Sequence, residues 1–184
     1  MFRKIQFNPC LKNWFELSKT PLIRLYCGVM YNPDMYIEYQ FLGLAEAIES
    51  YHRSFLQKVS PHNWDNEIED IIKLYPQIPS QCIKKIKECY NPYLGDRVAE
   101  VFSEYSEITS KLLYFKDKEC FSKRVARTRN YLSHWSESNR RTATLGEDLV
   151  HLTRDLQFVL QLSIMTQLGF TQCDFANMYH TNKL

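Results

Sequence analysis

A chain of 184 residues, 45% hydrophobic and 24% charged, with five glycines and seven prolines, is long enough for one core and is not of low complexity. Its net charge of +2 excludes a general affinity for polyanions based on total charge alone. No stretch approaches the roughly 18 apolar residues of a membrane span, and "MFRKIQFNPC" lacks the apolar centre of a signal peptide. These features describe a single domain over 1–184 and a soluble, cytoplasmic protein.

The elements read as helices throughout, and strand-like alternation is scarce. A first helix is expected from about Asn13 to Met30, disturbed at Pro21. Asn32-Pro33-Asp34 then reads as a start signal for a second helix, whose apolar residues Tyr36, Ile37, Phe41, Leu44, Ala45, Ile48, Tyr51 and Phe55 keep helical spacing. Residues 63–97 carry prolines at 76, 79 and 92 and read as an insertion of short helices joined by turns. Asp96 to Phe115 is expected to form one helix and Lys118 to about Glu137 another, with "SNRRT" as a turn. The stripe Leu145, Leu149, Leu152, Leu156, Val159, Ile164 and Leu168 predicts a long helix from Thr142 to a stop at Gly169. Residues 171–184 read as a loose tail. The predicted fold class is an all-α helical bundle with an irregular short-helix insertion in its middle.

Charge is unevenly spread along this chain. Between Lys111 and Arg141 nine basic residues stand against three acids, a local +6 that leaves the remainder at −4. The block surrounds "RTRNYLSHW", residues 127–135. At 100° per residue, Phe121, Val125, Thr128 and Leu132 fall within about 60° of one another and form the core stripe. Lys123, Arg127, Asn130 and His134 cluster on the opposite side, so His134 points away from the bundle. Arg129 lies on the flank, roughly 140° from His134 on an ideal helix. Such spacing also occurs on any exposed basic helix face. The residue types nonetheless suit metal-free phosphodiester chemistry. Histidine moves protons near neutrality, arginine holds phosphate oxygens through two N–H groups, asparagine both donates and accepts, and RNA supplies its own 2′-hydroxyl nucleophile.

Arg129-Asn130-Tyr131-Leu132-Ser133-His134 has the form R-(N/D/H)-x-x-x-H, and "YIEYQFLGLAEAIESYHR" at 36–53 is similar to a helix with the pattern FL-x-L-x-x-A-(L/I)-E-x-(Y/F)-H-R. Together with "NWFEL" near the start and the leucine helix near the end, these segments resemble the Apea-like members of the HEPN superfamily over roughly residues 11–170. The resemblance implies a helical bundle that forms a homodimer with its site at the dimer cleft. It also implies a metal-independent endoribonuclease of anti-phage defence, needing no cofactor and acting on RNA, with tRNA one class of target. Such proteins carry a further domain ahead of this one, so the chain reads as an excised C-terminal domain, lacking an N-terminal sensor, or as a short stand-alone member.

On that resemblance Arg129, His134, Asn130 and Glu49 are the catalytic candidates. His134 would act as general base or acid, Arg129 would stabilise the phosphorane-like charge, Asn130 would orient His134, and Glu49 would polarise His134 or brace Arg129. Arg127, Lys123, Arg124, Arg140 and Arg141 are the candidate RNA-binding residues. Glu46, His52 and Arg53 read equally well as cleft residues or as structural ones. Tyr131 and Trp135 suit base stacking or a dimer interface. Toxins of this superfamily that are silenced by nucleotide transfer carry tyrosine two places after the histidine, where this chain has Ser136. His62, His151 and His180 lack ligand-spaced partners, and the six cysteines contain no CxxC pair, so no metal site is expected. The alternative reading is a non-catalytic HEPN module that binds a nucleotide, RNA or a partner protein.

Overall fold

The computed structural model describes residues 7–57, 64–83, 92–135 and 137–181, and every regular element among them is a helix. The expected helix at Asn13–Met30 is two helices, α1 (Phe7–Ser18) and α2 (Pro21–Met30). Thr20 between them is extended, with φ −79° and ψ 152°. A residue ahead of proline avoids the helical region, while Pro21 is welcome at the first helical position, where no N–H is needed.

Helix α3 (Ile37–Tyr51) begins later than the Asn32-Pro33-Asp34 signal suggested. That segment closes as a turn instead, with the Met35 amide donating to the Asn32 carbonyl at 3.2 Å. Phe41, Leu44, Ala45, Ile48 and Tyr51 of α3 are buried, and α3 packs against both α2 and the long C-terminal helix. Its contact with α2 depends on Gly43, where a Cβ would stand 2.7 Å from the Val29 side chain. The chain then runs straight from α3 into a π turn, His52–Leu56, closed by the Gln57 amide on the His52 carbonyl at 2.7 Å.

Helix α4 (Trp64–Leu74) and a turn at 75–78 give the insertion the predicted character where it is described; residues 84–91, on which the rest of that expectation falls, lie outside the described residues. The single helix expected at Asp96–Phe115 is α5 (Leu94–Glu104) followed by α6 (Ser106–Leu112). The break is at Tyr105, with φ −116° and ψ 23°. Its ring is buried edge-on to Phe175, and its hydroxyl donates to Thr166 Oγ1 at 3.1 Å. Beyond Leu112 the backbone leaves the helix, because the buried carboxylate of Asp155 accepts the amides of Tyr114 and Phe115 at 3.1 and 2.8 Å. Burial pushes the Asp155 carboxyl above its ordinary range, and those two amides oppose the shift.

Helix α7 (Lys118–His134) starts at Asp117, whose side chain accepts the Cys120 amide at 2.7 Å, and stops at Trp135 in the left-handed region. Three residues of the expected turn, with Glu137 ahead of them, form a single helical turn, α8 (Glu137–Arg140). The long helix α9 (Glu147–Gln167) is shorter than the Thr142–Gly169 expectation. Thr144 is held off the helix by its amide's 2.9 Å bond to Thr128 Oγ1 of α7, so Leu145 stands outside the stripe and is exposed. Gly169 ends the segment at φ 100°, as its residue type predicts.

The expected loose tail is instead α10 (Gln172–Thr181). Phe175 is buried in the main core, and Thr171 and Asp174 form a reciprocal cap, the Thr171 amide and hydroxyl donating to Asp174 at 2.8 and 2.7 Å. Helices α3, α5, α7 and α9 therefore surround one core, and α5 and α7 lie against each other along its side.

Candidate active site

Phe121, Val125, Thr128 and Leu132 of α7 are buried, as the wheel requires, and Lys123, Arg127, Asn130 and His134 are exposed. Between α7, α5 and the end of α3 lies a groove of about 330 Å³. Helix α7 lines it with Ala126, Arg129 and Asn130, and the end of α3 with Glu49 and Arg53. The entry to α5 adds Pro92, Tyr93 and Leu94, and its first turn adds Arg97. Gly95 of α5 faces Ala126 of α7 beside the groove, with room for a Cβ, which would lie 3.6 Å from that side chain.

Arg129 is half-buried in the groove wall. Among the described residues its guanidinium has no hydrogen-bond or ion-pair partner, and neither does the Asn130 side chain. Glu49 lines the same groove but pairs with Arg53 at 2.7 Å, so it braces neither Arg129 nor His134 as expected. His134 is the last residue of α7, exposed and outside the groove. Because α7 is regular through residue 134, Arg129 and His134 diverge by roughly 140° within one chain.

The basic candidates divide. Arg124 is turned into the fold: its guanidinium lies 4.8 Å over the Phe115 ring and donates to Cys120 Sγ and Thr144 Oγ1, both at 3.3 Å. Its charge therefore holds loops together rather than facing a ligand, which corrects the RNA-binding expectation. Lys123 pairs with Glu119 at 2.8 Å and Arg140 with Glu137 at 3.3 Å, both exposed pairs that a polyanion can open. Arg127 and Arg141 are exposed. Tyr131 is buried, with Trp135 packed edge-on at 5.6 Å and 65% exposed. Ser136 lies outside the described residues.

A family model described as Apea-like HEPN matches residues 42–174, well over half of the chain. The protein belongs to the Apea-like HEPN family. No curated protein and no solved structure matches it. In this HEPN chain the R-x4-H segment therefore occupies a helix whose arginine end lines a groove and whose histidine end faces solvent. Among the described residues no helix is long and apolar enough to cross a membrane, and no three His, Cys, Asp or Glu side chains are placed to share a metal.

The sequence reading did not single out Arg97 of the groove. Arg97 is only 2% exposed. Its Nε donates to the Pro92 carbonyl at 2.9 Å, and its Nη1 to Gln57 Oε1 and His52 Nδ1, both at 3.1 Å. A guanidinium only donates, so His52 Nδ1 must accept. The His52 proton then sits on Nε2, which donates to Glu100 at 2.6 Å. The available signal was the stripe Leu94, Val98, Val101, Phe102 and Tyr105, in which Arg97 takes a core-side position on α5.

Proposed function

We propose that this Apea-like HEPN protein is a metal-independent endoribonuclease of anti-phage defence, in which Arg129 and His134 act on one RNA phosphate. The observation that carries this reading is the unpartnered Arg129–Asn130 pair opening onto a groove that also holds Arg53 and Arg97. A phosphodiester there meets N–H donors without first breaking an ion pair to Arg129. Such donors stabilise the charge that grows on a phosphorane-like transition state. His134 removes the 2′-hydroxyl proton or delivers one to the leaving 5′-oxygen, and the product carries a 2′,3′-cyclic phosphate. The roughly 140° between Arg129 and His134 on one straight helix favours a homodimer, in which His134 of one protomer reaches the phosphate held by Arg129 of its partner.

The test is incubation of total tRNA with the wild type and with His134→Ala, both in EDTA. Cleavage by the wild type leaving cyclic phosphate ends, with a loss of about 10²-fold or more in the variant, is expected. Equal cleavage by both, or none by a folded wild-type dimer, refutes the assignment. A second reading has its own support: about 330 Å³ suits a mononucleotide, and His134 stands outside that space. On that reading the chain is a HEPN module that binds a nucleotide without cutting RNA.

A further inference from the structure

The groove is more than an open surface beside an arginine. Arg97 is almost wholly buried, yet its Nη2 has no acceptor among the described residues. Among those residues no side-chain nitrogen or oxygen is both sealed from solvent and unpaired, so Nη2 keeps an opening, and Arg97 lines the groove. Its other two nitrogens are fully committed to Pro92, Gln57 and His52, which holds the guanidinium plane before any ligand arrives. Burial and then the neighbouring Arg53 pull Arg97 below its ordinary pKa, against the opposing pull of Glu49 and Glu100. Three guanidiniums, from Arg53, Arg97 and Arg129, share the groove with one carboxylate, that of Glu49. Tyr93, 73% exposed, stands at the same groove.

We infer that Arg97 is a fixed phosphate ligand of this groove, aimed by His52 as a positioning residue, and that Tyr93 stacks the base attached to that phosphate. The inference deepens the ribonuclease proposal and rests on it for the identity of the groove as the RNA site. The chemistry recognised is a phosphate bearing an unpaired base, whether from single-stranded RNA or from a free mononucleotide. His52 contributes by fixing direction: Glu100 holds its Nε2, which leaves Nδ1 facing Arg97. The π turn that starts at His52 also brings in Gln57, the other Nη1 acceptor.

Binding is read apart from cleavage with a fluorescent single-stranded RNA decamer carrying 2′-O-methyl groups, which removes the nucleophile. Anisotropy titrations at several salt concentrations compare the wild type with Arg97→Met, Tyr93→Ala and, as an exposed charge control, Arg154→Gln. Arg97→Met should bind at least about tenfold more weakly, with a log–log salt slope shallower by about 0.7, the value for one lost single-strand phosphate contact. Tyr93→Ala should weaken binding with an unchanged slope, and Arg154→Gln should change neither. Wild-type affinity and slope in folded Arg97→Met would overturn the assignment, even if the wild type cuts RNA. Binding that follows the expected pattern without any cleavage would leave Arg97 assigned and remove the ribonuclease reading. If Arg97→Met does not fold, wild-type melting decides: AMP should raise the Tm and adenosine should not, whereas equal effects of the two overturn the inference. AMP that displaces the decamer assigns the mononucleotide to the same groove. AMP that raises the Tm without displacing it overturns the placement.

Discussion

At the scale of single residues, the site separates groups that hold phosphate from groups that move protons. Arg129 needs its fork, because its value lies in two directed N–H groups and not in charge alone. Arg129→Lys is therefore expected to lower the rate of tRNA cleavage by about 10²-fold while leaving the Tm within a degree or two, since no side-chain partner is lost. Paired single-turnover assays and melting curves check this, and near-wild-type cleavage by the lysine variant would remove Arg129 from the chemistry. The wheel placed these residues correctly because side-chain direction on a regular helix follows from residue number. It could not see Arg97, because a buried arginine reveals its purpose only through Gln57, His52 and the Pro92 carbonyl, which come from two other places in the chain.

At the scale of elements, stability is concentrated where helices meet. Gly43→Ala gains roughly 1 kcal/mol of helix propensity, but its Cβ would stand 2.7 Å from a buried, branched Val29 side chain. Overpacking of that kind costs about 1–3 kcal/mol, so the clash should win and lower the Tm by several degrees. A rise in Tm would show that α2 shifts freely on α3. Asp155→Ala leaves the amides of Tyr114 and Phe115 without their acceptor just ahead of α7. A loss of about 2–4 kcal/mol is expected from denaturant titration, together with faster amide exchange at 113–117. Some boundaries were legible and overlooked: Thr171-Gln172-Cys173-Asp174 carries the reciprocal cap that starts α10, so the loose-tail expectation had a local signal against it. The break at Tyr105 had none. Its cause is a ring buried against Phe175 and a hydroxyl on Thr166, some 60 residues or more further along.

At the scale of the whole molecule, a composite site makes a sharp prediction. If Arg129 and His134 serve one phosphate across a dimer, mixing Arg129→Ala with His134→Ala rebuilds one of two sites in each heterodimer. Random exchange then restores about a quarter of wild-type cleavage, whereas a site within one chain restores nothing. A second prediction concerns pH. Burial holds the Glu104 carboxyl above its ordinary 4.5, against the hydrogen bond from Tyr51. The folded state thus binds that proton more tightly than the unfolded chain does. The Glu104 contribution to stability is present below pH 4.5 and lost as pH rises through the elevated value. Glu104→Gln should therefore lose less Tm than the wild type as pH rises from 4 to 6, and parallel curves would refute the shift.

Taken by itself, the sequence determined the helical class, the core stripes, the exposed face of α7 and the stop at Gly169, because each depends on helical period or on the conformational range of one residue. It also carried the family, through two segments that the match over residues 42–174 includes in whole or in large part. The tertiary structure alone decided that Arg124 is spent on Phe115 and Thr144 and that Arg97 joins Arg129 in one groove. The physical reason is the same in each case: a charged side chain takes whichever partner the packing of distant helices brings within about 3 Å, the hydrogen-bonding range, and that distance is not written in the spacing of residues along the chain.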